Sequence, residues 1–272
     1  MNRVPAVAGQ FYPASAAEVA AQLDVVMSDG PTRRPAIAVV VPHAGWMYSG
    51  ATAGLVYSNI VVPDRVILIG PNHQNVGSRY ALYDAGAWET PGGAVRIAEV
   101  LAAELLDDCD LLAEDRRAHV AEHSLEVQVP MLLRANPSVE IVPILIGGPW
   151  PDAGGRGDLR MLGEAIATTV REFGRPVLLV ASTDLNHYEN QEASQIKDKL
   201  VLDAVVRLDA EGLMQRVKDV EVSMCGVAAT FVVLVAAKKL GATRAEVLDY
   251  RTSGDVTGDF HRVVGYGGVV IE

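Results

Sequence analysis

The sequence predicts a single α/β domain over residues 1–272, built on a mostly parallel mixed sheet flanked by helices. Three observations carry this prediction. Residues 36–41, 66–69 and 177–181 are uninterrupted aliphatic runs and 139–146 is a mainly apolar one, the pattern of strands covered on both faces rather than one. Ala- and Leu-rich segments of helical spacing lie between these runs, so strands and helices alternate along the chain. Half of the 272 residues are hydrophobic and only 6% are aromatic, so the core must be aliphatic, and no long polar linker divides it.

Taken in order, Ser15-Ala16-Ala17-Glu18 is a capping-box pattern that opens a helix to about Met27, closed by Gly30-Pro31. A first strand (36–41) leads through a loop with Trp46 and Tyr48 into a small-residue helix over 49–57. The second strand ends just before His73, and 75–93 reads as loop and strand fragments. Residues 94–106 are Ala/Leu/Glu-rich and expected to be helical. Residues 124–133 also have helical spacing, with Pro130 expected to kink or end it. Strand 139–146 precedes a surface loop at 151–157, and Asp158 is expected to cap a helix to Phe173. Strand 177–181 follows, then a helix-rich stretch over 191–239. Residues 247–250 and 266–271 read as closing strands joined by turn chemistry.

The formal charge of −11 argues against a nucleic-acid or anionic-membrane surface, since both need clustered cations. Two cysteines, Cys109 and Cys225, imply a reducing compartment without a disulfide framework. The N-terminal residues lack an apolar signal region, and the longest apolar stretch (226–237) is too short to span a bilayer. A cytoplasmic protein is the expectation.

His43 and His73 each follow a buried run directly. Ligands of open α/β sheets bind at the carboxyl ends of the strands, and imidazole is the commonest metal ligand and a neutral-pH acid/base. Either residue alone also reads as a core histidine bonded to backbone; two delivered alike point to a metal or catalytic centre. Asn72 and Gln74 flank His73 as hydrogen-bonding partners for a ligating ring. Asp184 and His187, three apart beyond strand 177–181, can converge on one cavity. Phe11, Tyr12, Trp46 and Tyr48 either rim such a pocket or pack.

Two further signals involve His123 and Cys225. His119-Val120-Ala121-Glu122-His123 matches H-x-x-E-H, the inverted zinc-peptidase motif. That chemistry needs both histidines on one face of a continuous helix, with Glu122 as base. If Ser223 caps a helix, Cys225 falls in its first turn, where the helix dipole favours thiolate; a small buried apolar residue is the alternative. Cys109, among Asp107, Asp108 and Asp110, reads as inert. There is no G-x-S-x-G elbow, no Walker A loop and no G-x-G-x-x-G after a strand, which weakens hydrolase, NTPase and dinucleotide readings.

Six ordered motifs together resemble the Memo family, also called AmmeMemoRadiSam system protein B. They are Arg3-Val4-Pro5-Ala6-Val7-Ala8-Gly9-Gln10-Phe11-Tyr12-Pro13, Pro42-His43-Ala44-Gly45, Gly70-Pro71-Asn72-His73, Glu122-His123-Ser124-Leu125-Glu126, Ser182-Thr183-Asp184-Leu185-Asn186-His187 with Cys225-Gly226, and Ser253-Gly254-Asp255-Val256-Thr257-Gly258-Asp259. The resemblance implies a fold similar to the class III extradiol ring-cleaving dioxygenases, which hold Fe(II) with two histidines and a glutamate. It also implies His43, His73 and Cys225 as metal ligands, with His123, Asp184 and His187 lining the cavity. His187 or His123 would then be the acid/base and Asp184 its orienter. Cysteine stands where the dioxygenases use a carboxylate; a thiolate is softer and oxidisable, and suits Cu(I) or Zn(II) as well as Fe(II). The expected function is that of a mononuclear non-haem Fe(II) protein of dioxygenase-like chemistry acting on a small phenolic or catechol-type substrate. The alternatives are a non-catalytic metal- or peptide-binding protein and a zinc peptidase using His119, Glu122 and His123.

Overall fold

The computed structural model describes residues 2–27, 33–148 and 153–272. The elements run α1 (Ala16–Val26), β1 (Ala38–Val41), α2 (Trp46–Ser58), β2 (Arg65–Pro71), β3 (Tyr80–Leu82), β4 (Ala87–Thr90), β5 (Gly93–Ile97), α3 (Glu99–Asp108) and β6 (Ala113–Glu114). Two 3₁₀ turns, Arg116–His119 and Glu126–Gln128, lead into α4 (Val129–Ala135) and β7 (Glu140–Ile146). Then come α5 (Ala153–Phe173), β8 (Val177–Ser182), β9 (His187–Glu189), α6 (Gln191–Val206), α7 (Ala210–Asp219), α8 (Val227–Lys239), β10 (Ala245–Thr252), α9 (Gly254–Thr257) and β11 (Val263–Ile271).

The aliphatic runs do form the centre of the sheet, parallel and in the order β1–β8–β2–β7. Antiparallel β11 and β10 extend it beyond β1, and antiparallel β3 beyond β7. Every residue of β1 and β8 is buried, which requires cover on both faces. Helix α8 lies over β1, β8 and β2, and α2 over β1, β10 and β11. Helix α8 is itself buried from Ala229 to Ala237 because α5 covers its other side; a helix apolar all round is stable only in such a sandwich. Among the described residues no helix is long and apolar enough to cross a membrane.

Local chemistry explains the boundaries. Ser15 caps α1, its Oγ accepting from Glu18 N at 3.3 Å and donating to the Glu18 carboxylate at 2.6 Å. The expected stop at Gly30-Pro31 lies outside the described residues. Three expectations change. Residues 94–97 are strand, not helix: buried Val95 and Ile97 alternate with exposed Ala94 and Arg96, a period of two that their Ala/Glu-rich continuation obscures. Pro130 starts α4 rather than ending a helix, because its missing N–H costs nothing in the first turn. Helix α5 begins at Ala153, so 153–157 are helical rather than loop; residues 151–152 of that expected loop lie outside the described residues.

The sheet register places the site. Val41 pairs with Ser182 and Ile69 with Ala181, so β1, β8 and β2 end side by side and their following loops share one rim. Two glycines permit close approach there. A Cβ on Gly70 would stand 2.7 Å from Leu125 Cδ2, and one on Gly226 2.4 Å from Ser182 O. The first contact seats the 124–125 segment on the end of β2. The second seats Cys225-Gly226 on the end of β8.

Candidate metal centre

Three histidines converge at this rim. His43 follows β1, His73 follows β2, and His123 arrives on the irregular segment before α4. Among the described residues, these form the group whose possible metal-ligating atoms all lie within 4.8 Å of one another. Ring centroids stand 5.3 Å apart for His43 and His73, and 4.6 Å for the stacked His73 and His123. Cys225 Sγ lies 3.2 Å from His43 Nε2.

Hydrogen bonds fix which nitrogen each ring offers. Ser182 Oγ donates to Ser124 O at 2.6 Å, and its single proton is thereby committed. It also accepts from Gln128 Nε2 at 3.1 Å. His43 Nδ1, 3.0 Å from the same Oγ, must therefore carry the proton, leaving Nε2 with a lone pair. Gln128 is itself oriented: its Nε2 donates to Pro42 O at 2.8 Å, and its Oε1 accepts from Tyr57 Oη at 3.1 Å.

The Glu122 carboxylate does the same for His73. It accepts from His73 Nδ1 at 2.8 Å and from the amides of His73 (2.6 Å), His123 (3.0 Å) and Ser124 (2.9 Å). His123 Nδ1 is 3.3 Å from the same Oε1. Burial alone would raise the Glu122 pKa, but these bonds, led by that from the His73 side chain, hold it down at about 2. This carboxylate thus faces Nδ1 of two rings, and its hydrogen bond to His73 directs Nε2 of that ring to the opposite side. Burial lowers the pKa of His43, reinforced by the neighbouring imidazoles, and also that of His123. Neutral rings with free lone pairs are the form that binds a metal.

A family model described as "Memo-like protein" matches residues 3–270. The chain belongs to the Memo family. It is 39% identical over 289 residues to a MEMO1 family protein of Methanopyrus kandleri, covering 99% of each chain. A MEMO1 family protein of Aquifex aeolicus is 39% identical over 270 residues, covering 98% of each. A solved structure, an uncharacterized protein of Escherichia coli K12, aligns with a TM-score of 0.49 at 14% identity, over 85% of this chain and 98% of that one.

The six Memo motifs thus fall mainly at the rim and in the parts that brace it. The N-terminal motif is a brace. Buried Arg3 donates to the carbonyls of His119 (2.7 Å) and Glu122 (2.8 Å) and pairs with Glu126 at 2.7 Å. Glu126 in turn accepts from Ala6 N, Val7 N and Tyr12 Oη. Phe11 packs on the His123 ring at 4.6 Å. Of the four aromatics considered for a pocket rim, Tyr12 and Trp46 are buried packing residues, Trp46 Nε1 donating to Val127 O.

Asp184 reaches the site but not in the expected role. Its Oδ1 accepts from the amides of His43 (2.8 Å) and Ala44 (3.3 Å), so it holds the His43 loop rather than the His187 ring. Burial raises its pKa to about 6 against these bonds. The His187 Nδ1–H instead donates to Ser223 O at 2.7 Å, leaving Nε2 as the basic atom, and burial lowers this ring's pKa too. Asn72 turns away from His73, its Nδ2 donating to Val76 O.

Cys225 lies before α8, not in its first turn, because Gly226 is the N-cap. Its Sγ accepts instead from Asp184 N at 3.3 Å. Burial pushes the thiol pKa up, so in the metal-free protein the sulfur is a thiol facing the His43 lone pair. His119 is a core residue: fully buried in a 3₁₀ turn, its Nε2–H donating to Ala81 O at 3.1 Å and its ring against Tyr83 and Trp88. Residues 119–123 form no continuous helix, so the geometry required of the zinc-peptidase motif is absent. Glu122, given a role in the sequence only as the base of that motif, is the residue that orients His73. Ser182, Gln128 and Tyr57 gave no separate signal beyond their place near a strand end or on an apolar face.

Proposed function

We propose that this rim is a mononuclear metal centre held by His43, His73 and Cys225, and that the protein is a non-haem Fe(II) oxidoreductase of dioxygenase-like type acting on a small phenolic or catechol-type substrate. The observation that carries the reading is the 3.2 Å separation of Cys225 Sγ and His43 Nε2. A sulfur and a nitrogen ligating one ion at about 2.3 and 2.1 Å stand roughly 3.2–3.6 Å apart. The donor set fits a soft divalent or monovalent ion, so Cu(I) and Zn(II) compete with Fe(II). Bound there, Fe(II) supplies the redox chemistry by which a phenol reacts with O₂.

The chain's own residues would do the rest. Ser182 and Glu122 hold the two ligating rings in one tautomer. His123, stacked 4.6 Å from His73, and His187, with Nε2 as its basic atom, are the groups to take a phenolic proton. Both are kept neutral by burial, as a general base must be.

A second reading has His123 in place of Cys225 as the third ligand, in a metal- or peptide-binding protein without catalysis. The mutual proximity of the three imidazoles favours it. Oxygen uptake by anaerobically iron-loaded protein across a catechol panel separates the two. Substrate-dependent uptake supports the oxidoreductase, and none with any substrate supports binding. His43→Ala, His73→Ala and Cys225→Ala should each lose iron; stoichiometric iron in any of them overturns the ligand assignment.

A further inference from the structure

Four non-glycine residues among the described residues adopt a positive φ: Asn75, Tyr188, Leu208 and Glu221. Three are accounted for by type or place. Asparagine tolerates this conformation better than most residues. Leu208 and Glu221 each follow the C-cap of a helix, where a left-handed residue closes the last turn. After α6 the amides of Leu208 and Asp209 donate to Val205 O and Ala204 O, and after α7 Val222 N donates to Val217 O. Tyr188, with a φ of 63°, follows no helix. For an aromatic residue this backbone is strained, whereas glycine adopts it freely.

Tyr188 is the extra residue of a β-bulge. His187 pairs with Val264 and Glu189 with Val263, so one residue of β9 has no counterpart on β11. In a regular strand neighbouring side chains point to opposite faces, which would carry Tyr188 away from His187. Here the two rings meet, with centroids 5.7 Å apart and planes at 60°. The bulge thus turns the tyrosine toward the side of the imidazole. That side belongs to the metal rim. His187 is one of the imidazoles that add to burial in lowering the His43 pKa. Tyr188, with Asp184 and Tyr48, adds to the burial that raises the pKa of Tyr266.

Packing does not repay the strain. Leu208 is 7% exposed, so its left-handed backbone is offset by a buried side chain, whereas Tyr188 is 64% exposed. Its one cationic neighbour is Arg262, whose guanidinium stands 5.5 Å from the ring centroid and steadies the ring. A strained backbone that displays an open aromatic ring beside a candidate base marks a functional position.

We infer that Tyr188 is a specificity-determining residue of the rim site: its ring is a wall against which a planar aromatic ligand packs while the ligand's polar group meets His187. Aromatic rings pack in this way offset or edge to face. The inference rests on the proposed function for the ligand's place beside His187. Its own test needs neither metal nor turnover.

The first measurement is calorimetric titration of metal-free protein with catechol and with its saturated counterpart, cyclohexane-1,2-diol. The parent should prefer catechol, and Tyr188→Gly should reduce that preference about 2- to 10-fold, the worth of one aromatic pair. Tyr188→Phe keeps the ring and should keep the preference. The second measurement is denaturant unfolding. Tyr188→Gly should unfold at a midpoint equal to or above the parent's and above that of Tyr188→Ala, because only glycine sheds the strain. No preference for catechol in the parent, or a preference unchanged in Tyr188→Gly, overturns the inference. So does a midpoint for Tyr188→Gly below the parent's, which would show that the ring is held for packing. Tyr188-dependent catechol binding without oxygen uptake by the iron-loaded protein would defeat the oxidoreductase proposal and leave the aromatic wall standing.

Discussion

Replacing Glu122 by Gln removes one charge and keeps the shape, and it should weaken metal binding about 10- to 100-fold. The carboxylate accepts four N–H groups, one of them His73 Nδ1 at 2.8 Å. Glutamine keeps one accepting oxygen and turns an NH₂ toward donors that need an acceptor. His73 then loses the partner that fixes its tautomer and directs Nε2 outward. A hydrogen bond to a charged group is worth about 1.5–3 kcal/mol, and 1.4 kcal/mol is tenfold in affinity. The same range is usual when the carboxylate behind a ligating histidine is changed. The assay is anaerobic titration of Fe(II) or Zn(II) against a chromophoric chelator, with thermal unfolding of the metal-free protein in parallel. A folded variant that binds metal within twofold of the parent would refute the reasoning that Glu122 sets the His73 donor atom.

Three other outcomes follow from the same geometry. His119→Ala should keep full metal stoichiometry while losing about 2–4 kcal/mol of stability, as removal of a buried ring does; loss of zinc instead would restore the peptidase reading. Arg3→Met strands the buried Glu126 carboxylate and should cost about 3–5 kcal/mol in denaturant unfolding, and a cost below about 1 kcal/mol would contradict the bracing role. Asp198 is raised to about 6 by burial, despite bonds from Asn186 N and Tyr250 Oη at 2.8 Å. Between about pH 4 and 6 the folded protein therefore holds a proton that the unfolded chain has released. The contribution of Asp198 to stability falls as pH rises through that window, by about 3 kcal/mol for two pKa units, and Asp198→Asn should remove that component from the pH profile. Parallel pH profiles for parent and variant would contradict this.

The sequence disclosed the central strands because residues buried on both faces need no alternation: β1, β2, β7 and β8 all lie where the aliphatic runs are. It disclosed His43 and His73 for the same reason, since a polar ring directly after such a run has only the strand end to occupy. Residues 94–97 were hidden because a short strand merges with the Ala-rich helix that follows. Asp184 was placed beyond the correct strand, but its partners are backbone amides that no spacing records, and Cys225 was expected in a helical first turn that begins only after Gly226. Glu122 and His119 show the limit most clearly. The same five-residue pattern put one in the core and made the other the orienter of His73, because a 3₁₀ turn ends at His119 and irregular backbone rather than a helix carries the rest.

The central claim is that a sulfur and two imidazoles share one ion. X-ray absorption of anaerobically iron-loaded protein, read beside Cys225→Ala, tests it directly. The account predicts one sulfur scatterer on the metal that disappears in the variant. Coordination by nitrogen and oxygen alone, unchanged by that substitution, would contradict it.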